Sequence, residues 1–419
     1  MVPRIRKLEL PCAVYWIAVL AIPLRIVARL FYTGITNFWV DGYIFFFNLA
    51  QSIAHGQGIA IDGIATGFRT PLYSVFLAGL TLGHQAFWPI IIAQSVIGAG
   101  TVVCTALLAA QLFPGPAAAS APTLAAAIAA LYPYYVFHDT AIQETGLFTF
   151  LTLVSVLLLL NAAHKGNPVT GAEAGLILGL DVLTRATIAP FGLLAPLWLV
   201  WHRRTRAGVV CGLVLLATVM PWVVRNYLAL GDATLSTETG LEFWTGNNGF
   251  LFRYYPRQSS DLSQAYALGR LTPGDRQKLD SLGTSEAETS RFFFRKGLQY
   301  VEAHPIQFII DGLRKNLAAF NWLPSPRRGL LIELAHFFSF GPVMLLGIWG
   351  MFRHRSHWRE DCLIYFLFAT FILVTGIFWA HTSHRVYLDV YWIAFASGVC
   401  AEKLFPLLRR PEIRAGSVQ

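Results

Sequence analysis

The chain has 419 residues, of which 55% are hydrophobic and only 13% charged, against about 25% charged in an ordinary soluble domain. Its mean hydropathy is +0.53, and a water-soluble core cannot absorb that apolar surplus, so a soluble globular protein is excluded. The formal net charge of +9 comes from short basic clusters beside apolar segments, not from one basic face, which excludes a nucleic-acid reader and makes the clusters topology signals.

In chain order, the first apolar run (8–32) follows Arg4, Arg6 and Lys7. It is too long for a signal peptide, carries Arg25 and Arg29, and lacks a small-residue cleavage site, so it reads as a retained first span. Within a first external loop, 33–87, two apolar stretches are expected to lie in the membrane interface. These are 42–54, where aromatic residues mix with Asn48 and Gln51, and 71–82. As helix the second is roughly 18 Å long, too short for a hydrocarbon core of about 30 Å. Apolar segments near 88–112, 117–136, 144–162, 172–186 and 188–201 follow, and the Ala-rich 117–130 suits close helix packing in lipid.

Basic clusters at 4–7, 202–206 (HRRTR), 353–359 (RHRSHWR) and 409–414 are all assigned to the cytoplasm, so an even number of spans must separate each pair. The six segments before HRRTR satisfy that parity; a single tilted helix over 171–201 would break it. One span near 207–224 leads to a polar external insert, 225–330. There Ser285 and Glu288 form a capping box for a helix that stops at His304-Pro305. The next stretch, 306–322, is apolar but carries Asp311, Arg314 and Lys315, so it is expected at the membrane surface. Spans near 331–352, 362–380 and 386–403 complete the chain.

The fold class is therefore an all-α polytopic membrane protein with about ten transmembrane helices. It divides into an N-terminal module (1–224), the external insert (225–330), C-terminal helices (331–404) and a cytoplasmic tail (405–419). Cys12, Cys104, Cys211, Cys362 and Cys400 all fall in apolar segments, which gives a disulfide framework or zinc knuckle no support.

This topology brings the ionisable residues at the outer ends of the spans to one side. They are Asp41, Arg69, Asp139, Glu144, Arg185, Arg225, His381, His384 and Arg385. Charge beside hydrocarbon is costly and therefore a functional hint, with snorkelling to headgroups the ordinary alternative for any one arginine. As a set they suit a lipid phosphate, which guanidinium holds in a bidentate manner. Asp41, in NFWVDGYIFFF, has apolar surroundings that would raise its pKa toward the range of a general base, and Asp is also a preferred helix N-cap. The pair His381 and His384, and His138 beside Asp139, invite a metal but lack an assured third ligand. No Gly-rich phosphate loop, GxSxG or nucleotide-binding unit is present.

Several motifs in order carry a resemblance. Asp41 is followed by Tyr43; FRTPLY stands at 68–73, with Arg69 and Tyr73; Gln143-Glu144 opens the fourth span; LTRAT occupies 183–187. Then come PWVVRN at 221–226, WTGNN at 244–248 with Asn247, the His304-Pro305 helix end, and HRVY at 384–387. The chain resembles the GT-C superfamily of membrane glycosyltransferases, in particular the bacterial family 39 group with protein O-mannosyltransferases and the lipid A aminoarabinose transferase. The resemblance implies that Asp41 is the catalytic carboxylate and that the second external loop supplies another acid, Glu144 best and Asp139 second. It leaves a divalent metal cofactor open. Two departures stand out: no sizeable soluble domain follows Arg414, and Val386 separates Arg385 from Tyr387 where the family has an Arg-Tyr pair followed by proline.

The expected function is transfer of a sugar from a polyprenyl-phosphate donor to an acceptor protein, lipid or polysaccharide on the periplasmic face of a bacterial inner membrane, with inversion. Asp41 would act as base and Glu144 would orient the acceptor or a metal. Arg69, Arg225 and Arg385 would stabilise the leaving phosphate. Tyr43, Tyr73, His138, Asp139, Arg185, Asn247 and His384 would complete the binding site. The alternatives are a transporter or lipid flippase, to which Asp181 inside a span would belong, and a non-catalytic polyprenol-binding subunit.

Overall fold

The computed structural model describes residues 9–40, 42–114, 120–379 and 382–408, so Asp41, His381 and the two terminal basic clusters lie outside the described residues. The N-terminal module begins with α1 (Cys12–Tyr32), α2 (Ile44–Ala54), a two-stranded antiparallel ribbon of β1 (Ala60–Ile61) and β2 (Ile64–Ala65), and α3 (Leu72–Thr81). It continues through α4 (Phe87–Leu112), α5 (Ala121–Leu131), α6 (Pro133–His138), α7 (Thr145–Lys165), α8 (Pro168–Thr184), α9 (Ala189–Trp201) and α10 (Thr205–Leu230). The insert holds α11 (Thr239–Gly246), α12 (Ser260–Leu268), α13 (Pro273–Ser281), α14 (Glu286–Ala303) and α15 (Pro305–Ala319). The C-terminal helices are α16 (Leu330–Arg353), α17 (Trp358–Ile377) and α18 (Val386–Leu408).

Among the described residues six helical segments are long and apolar enough to cross a membrane: α1, α4, α7, α10, α16 and 355–377, which includes α17. The protein is thus an all-helical membrane protein, with shorter apolar helices packed among the long ones. The expected single segment 117–136 is broken in two because Pro133 has no N–H to continue α5, and α6 restarts from it. Residues 171–201 are two helices, not one, because Arg185 takes an extended conformation (φ −150°, ψ 115°) between α8 and α9.

Small residues set the closest packing. Gly171, Gly175 and Gly179 form one stripe of α8 facing Ala207, Cys211 and Thr218 of α10, so the two helices run parallel. A Cβ on Gly171 or Gly175 would stand 2.3 Å from a backbone oxygen of α10, so only glycine permits this approach. Ala121, Ala125, Ala126 and Ala129 of α5 are fully buried in the same main core, as the Ala-rich stretch implied.

The two arginines inside the first span are both buried, and each finds a partner across the bundle. Arg25 Nε donates to Asp139 Oδ2 at 3.1 Å, and Arg29 Nε to Thr140 Oγ1 at 3.0 Å, which staples α1 to the loop before α7. The described basic clusters meet on one face. His202 hydrogen-bonds the Arg359 carbonyl at 3.1 Å, and Arg204 Nε donates to Ala163 O at 2.7 Å, covering an orphan carbonyl at the end of α7. The head of α7 and the end of α8 lie at the opposite end of these helices.

In the insert, Ser285 caps α14 through the Glu288 N–H as the motif predicts, and Pro305 separates α14 from α15. The α15 helix lies antiparallel against the last turns of α17, with Asn316 Nδ2 donating to Ile372 O at 3.1 Å. Its outer face exposes Ile306, Ile309, Leu313 and Leu317, an apolar stripe suited to lipid. Lys315 of the same helix is fully buried; its Nζ reaches Asn247 Oδ1 and Gly376 O, both at 3.1 Å, and so caps the end of α17.

Candidate active site

A cavity of about 570 Å³ opens where α7, α8 and α17 end and the insert folds over them. That size is in the range of small-molecule sites, about 300–1,000 Å³. One wall is apolar, with Ala189, Pro190, Leu235, Phe371, Val374, Phe378 and Trp379. The other is charged, with Arg69, Arg185 and His384 facing Glu144, Glu238, Glu242 and Asp261.

Each charged group is placed by its element. Glu144 is the residue before the first turn of α7, and Arg185 is the extended residue that ends α8. They meet through two guanidinium nitrogens: Nε and Nη2 of Arg185 lie 3.0 and 2.6 Å from Glu144 Oε1. The Arg185 guanidinium also lies 4.8 Å from the centre of the Phe148 ring, one turn into α7, which fixes its plane. Burial pushes the Glu144 carboxyl up, but the positive charges of Arg185 and Arg69 outweigh it and hold the group below the ordinary carboxylate value.

Arg69 stands just ahead of α3, its guanidinium 4.9 Å from the Tyr43 ring centre and its Nη2 2.6 Å from Glu238 Oε1. The segment carrying it is held by Glu286, the first residue of α14. That single carboxylate accepts from Thr66 Oγ1 at 2.6 Å, Gly67 N–H at 2.9 Å and Thr237 Oγ1 at 2.8 Å. The loop after α1 and the insert are therefore joined one to three residues from Arg69 and Glu238. Burial raises Glu238 to about 8 even beside Arg69, and burial raises Glu242, one turn further along α11, as well.

Of the residues named from sequence, Glu144, Arg69, Arg185 and His384 line the cavity, and Tyr43 supports Arg69 from beneath. The backbone N–H of Tyr43 donates to Ile142 O at 2.9 Å, bringing the first loop alongside the segment that leads to Glu144. Asp41 lies outside the described residues.

The remaining nominees sit elsewhere for identifiable reasons. Tyr73 is fully buried in a second apolar cluster, its hydroxyl on Gln94 Oε1 at 3.2 Å. Asp139 is taken by Arg25 and buried; desolvation lifts its carboxyl to about 6. The His138 ring meets the Gln143 amide at 2.7 Å and stacks on Tyr134. Arg225 clamps the first external loop through the carbonyls of Ile59 and Thr66, both at 2.6 Å. Asn247 joins the insert to the end of α17 through Ile377 O and Lys315. Arg385 is fully buried, paired with Asp389 at 2.9 and 3.0 Å and packed over the Phe340 ring. Of the three arginines expected to hold phosphate, Arg69 alone lines the cavity, and Arg185 joins it there.

Sequence reasoning missed Glu238, Glu242 and Asp261. The available signal was STETGLEFW at 236–244, where carboxylates four apart share one helix face immediately before WTGNN. Among the described residues no three His, Cys, Asp or Glu side chains gather as metal ligands would, and Glu144 is engaged by Arg185.

Residues 69–224 match the family of dolichyl-phosphate-mannose-protein mannosyltransferases. The matched segment is less than half of the chain; it begins at Arg69 and includes Glu144 and Arg185, and it leaves out the first loop up to residue 68 and the whole insert. The match bears out the GT-C resemblance and supports a membrane glycosyltransferase. Among solved structures, the crystal structure of the Archaeoglobus fulgidus oligosaccharyltransferase complex with Zn and sulfate aligns at 14% identity and a TM-score of 0.48. That alignment covers 94% of this chain and 49% of the archaeal one, so the chain spans about half the length of that protein. No curated protein matches the chain.

Proposed function

We propose that the protein is an inverting glycosyltransferase that moves a sugar from a polyprenyl-phosphate carrier to an acceptor hydroxyl on the outer, periplasmic face of a bacterial inner membrane. The observation that carries this reading is the pairing of two guanidinium groups, Arg69 and Arg185, with an apolar wall in one cavity at the helix ends away from the described basic clusters. A prenyl chain requires the apolar side and its phosphate the charged side. The family match, whose members are named for a dolichyl-phosphate-mannose donor, supports the same donor class.

In the proposed reaction the acceptor oxygen attacks the anomeric carbon as the bond from that carbon to the phosphate oxygen breaks. Asp41 takes the acceptor's proton. Its place in the first external loop supports this role, since Tyr43, two residues on, carries Arg69 on its ring. The carrier leaves as polyprenyl phosphate with one more negative charge than it had in the donor, so it needs no acid. Arg69 and Arg185 stabilise that charge as it develops, in a cavity where such interactions are stronger than in water. Glu144 is placed to hold Arg185 in orientation and to accept from a sugar or acceptor hydroxyl. Among the described residues no three His, Cys, Asp or Glu side chains gather as metal ligands would, and the divalent metal that the resemblance leaves open would have Glu144 as its nearest named carboxylate.

The insert, 225–330, supplies the acidic wall and the cover of the cavity and thereby takes part in acceptor selection, while 1–224 and 331–404 form the membrane module. The decisive experiment compares purified wild type with Asp41→Asn and Arg69→Ala on a lipid-linked sugar donor. Transfer by Asp41→Asn at near wild-type rate would remove Asp41 as the base, and undiminished transfer by Arg69→Ala would remove the phosphate assignment. Mass spectrometry of surface glycans from a strain lacking the protein names donor sugar and acceptor together.

A further inference from the structure

The two cavity arginines differ in their partners. Arg185 is held by Glu144, from the membrane module itself. Arg69 is held by Glu238, which belongs to the insert and reaches into the cavity over it, with N to O at 2.6 Å. The Arg69 side chain is one-third exposed and Glu238 one-tenth, so the pair lies at the cavity surface, within reach of an incoming ligand. The Arg69 Nε is buried and meets no acceptor among the described residues, and Glu238 engages Nη2.

Resting on the donor reading above, we propose that Glu238 is the resident counter-ion of Arg69, which the donor's phosphate displaces, and that the freed carboxyl takes a proton from solvent as donor binds. The chemistry follows from the geometry. Glu238 meets the guanidinium through Nη2, and a phosphate can hold it through more than one nitrogen, so the exchange favours phosphate. The displaced carboxylate is left with acidic neighbours. Glu242 lies on its own helix, Asp261 on α12 and Glu144 at the head of α7, while Tyr43 sits under Arg69 and Arg185 and His384 complete the wall. Once Arg69 is occupied elsewhere, burial and the charges of Glu242, Glu144 and Asp261 all act against ionised Glu238, and a buried carboxylate among like charges protonates.

Burial already raises Glu238 to about 8 with Arg69 beside it, so losing that partner moves it higher still. Proton uptake therefore appears only where the unliganded carboxyl is ionised, above a pH of about 8, and vanishes well below it. Over that range donor affinity falls by up to about tenfold per pH unit. Glu238 would then couple the insert to donor loading. Where Glu238 is ionised, its contact with Arg69 is one tie between the insert and the first loop, and phosphate releases that one while the Glu286 contacts remain.

The test is calorimetric titration of the full chain in detergent with farnesyl methyl phosphate, a phosphodiester like the donor and so a monoanion that exchanges no proton of its own across these pH values. Repeating it in buffers of different ionisation enthalpy counts the protons exchanged. Wild type is expected to take up close to one proton per ligand at a pH of about 9 and close to none at a pH of about 6.5. Glu238→Gln is expected to take up none at either pH and to bind roughly tenfold tighter than wild type at the higher one, a gain that a merely structural residue would not give. Binding without uptake by wild type at the higher pH overturns the exchange while leaving the donor reading intact, and it needs no variant to fold. Uptake that persists in Glu238→Gln assigns the proton to another group and also overturns it. If farnesyl methyl phosphate does not bind wild type at all, the donor reading fails and the exchange fails with it.

Discussion

Removing Arg185 isolates the most consequential contact of the cavity. Its side chain and that of Glu144 are 14% and 11% exposed, so the pair belongs to the buried class, in which loss of one partner strands the other charge at a cost of about 3–5 kcal/mol. Arg69 also lowers Glu144 and remains in place, so Arg185→Ala should sit at the lower end, about 3 kcal/mol or roughly a hundredfold in the unfolding equilibrium. Glu144→Gln keeps an amide oxygen for Arg185 and should cost less. The double variant no longer contains the stranded carboxylate, so its loss should fall short of the sum by about 2 kcal/mol. Detergent-micelle unfolding of all four proteins measures the cycle. Because Glu144 is held below its unfolded value, the stability it contributes is present at neutral pH and is lost as pH falls through its folded value. The difference between wild type and Arg185→Ala should therefore narrow under acid. Strictly additive losses, or a difference that widens under acid, would refute the pairing argument.

Asp139→Asn keeps an acceptor for Arg25 and should fold and transfer sugar at close to the wild-type rate per folded molecule. Asp139→Ala should lose about 3 kcal/mol by stranding Arg25, a difference visible in expression and thermal stability. Gly175→Ala puts a Cβ against the Cys211 carbonyl and should cost about 1–3 kcal/mol, whereas Gly79→Ala, with open space around it, should be neutral or slightly stabilising in the same unfolding assay. Glu286→Ala frees Thr66, Gly67 and Thr237 together. It should loosen the first external loop to limited proteolysis and raise KM for donor roughly tenfold, with Glu286→Gln recovering most of both, since a charge-assisted hydrogen bond is worth about 1.5–3 kcal/mol.

How much was legible in the sequence depended on whether the determining physics was local. The short apolar helices α2 and α3, the capping box at Ser285 and the break at His304-Pro305 were readable because length, apolar content and cap chemistry act within a few residues. Parity between the basic clusters implied two segments before HRRTR, and α8 and α9 are indeed separate helices. The break at Pro133 was not readable from proline alone, since Pro23, Pro196, Pro221 and Pro342 stand inside helices that continue through them. Among site residues, Arg69, Glu144, Arg185 and His384 could be named because a charge at a span end is conspicuous against hydrocarbon.

The same signal also drew in Asp139, Arg225 and Arg385, which look alike in sequence and act differently in space. Asp139 and Arg225 are consumed by partners far along the chain, Arg25 for the first and the carbonyls of Ile59 and Thr66 for the second, whereas Arg385 is taken by Asp389, four residues on, and by the packed Phe340 ring. Conversely Glu238 looked like one more polar residue of a loop until folding set it on Arg69. Hydropathy and charge placement, which are sums over neighbouring residues, determined by themselves that this is a multi-helix membrane protein with its charges gathered at helix ends. Which of those charges face the cavity and which staple the bundle was decided only by tertiary structure, because a buried ion's role is fixed by whatever opposite charge the fold brings within a few ångströms of it.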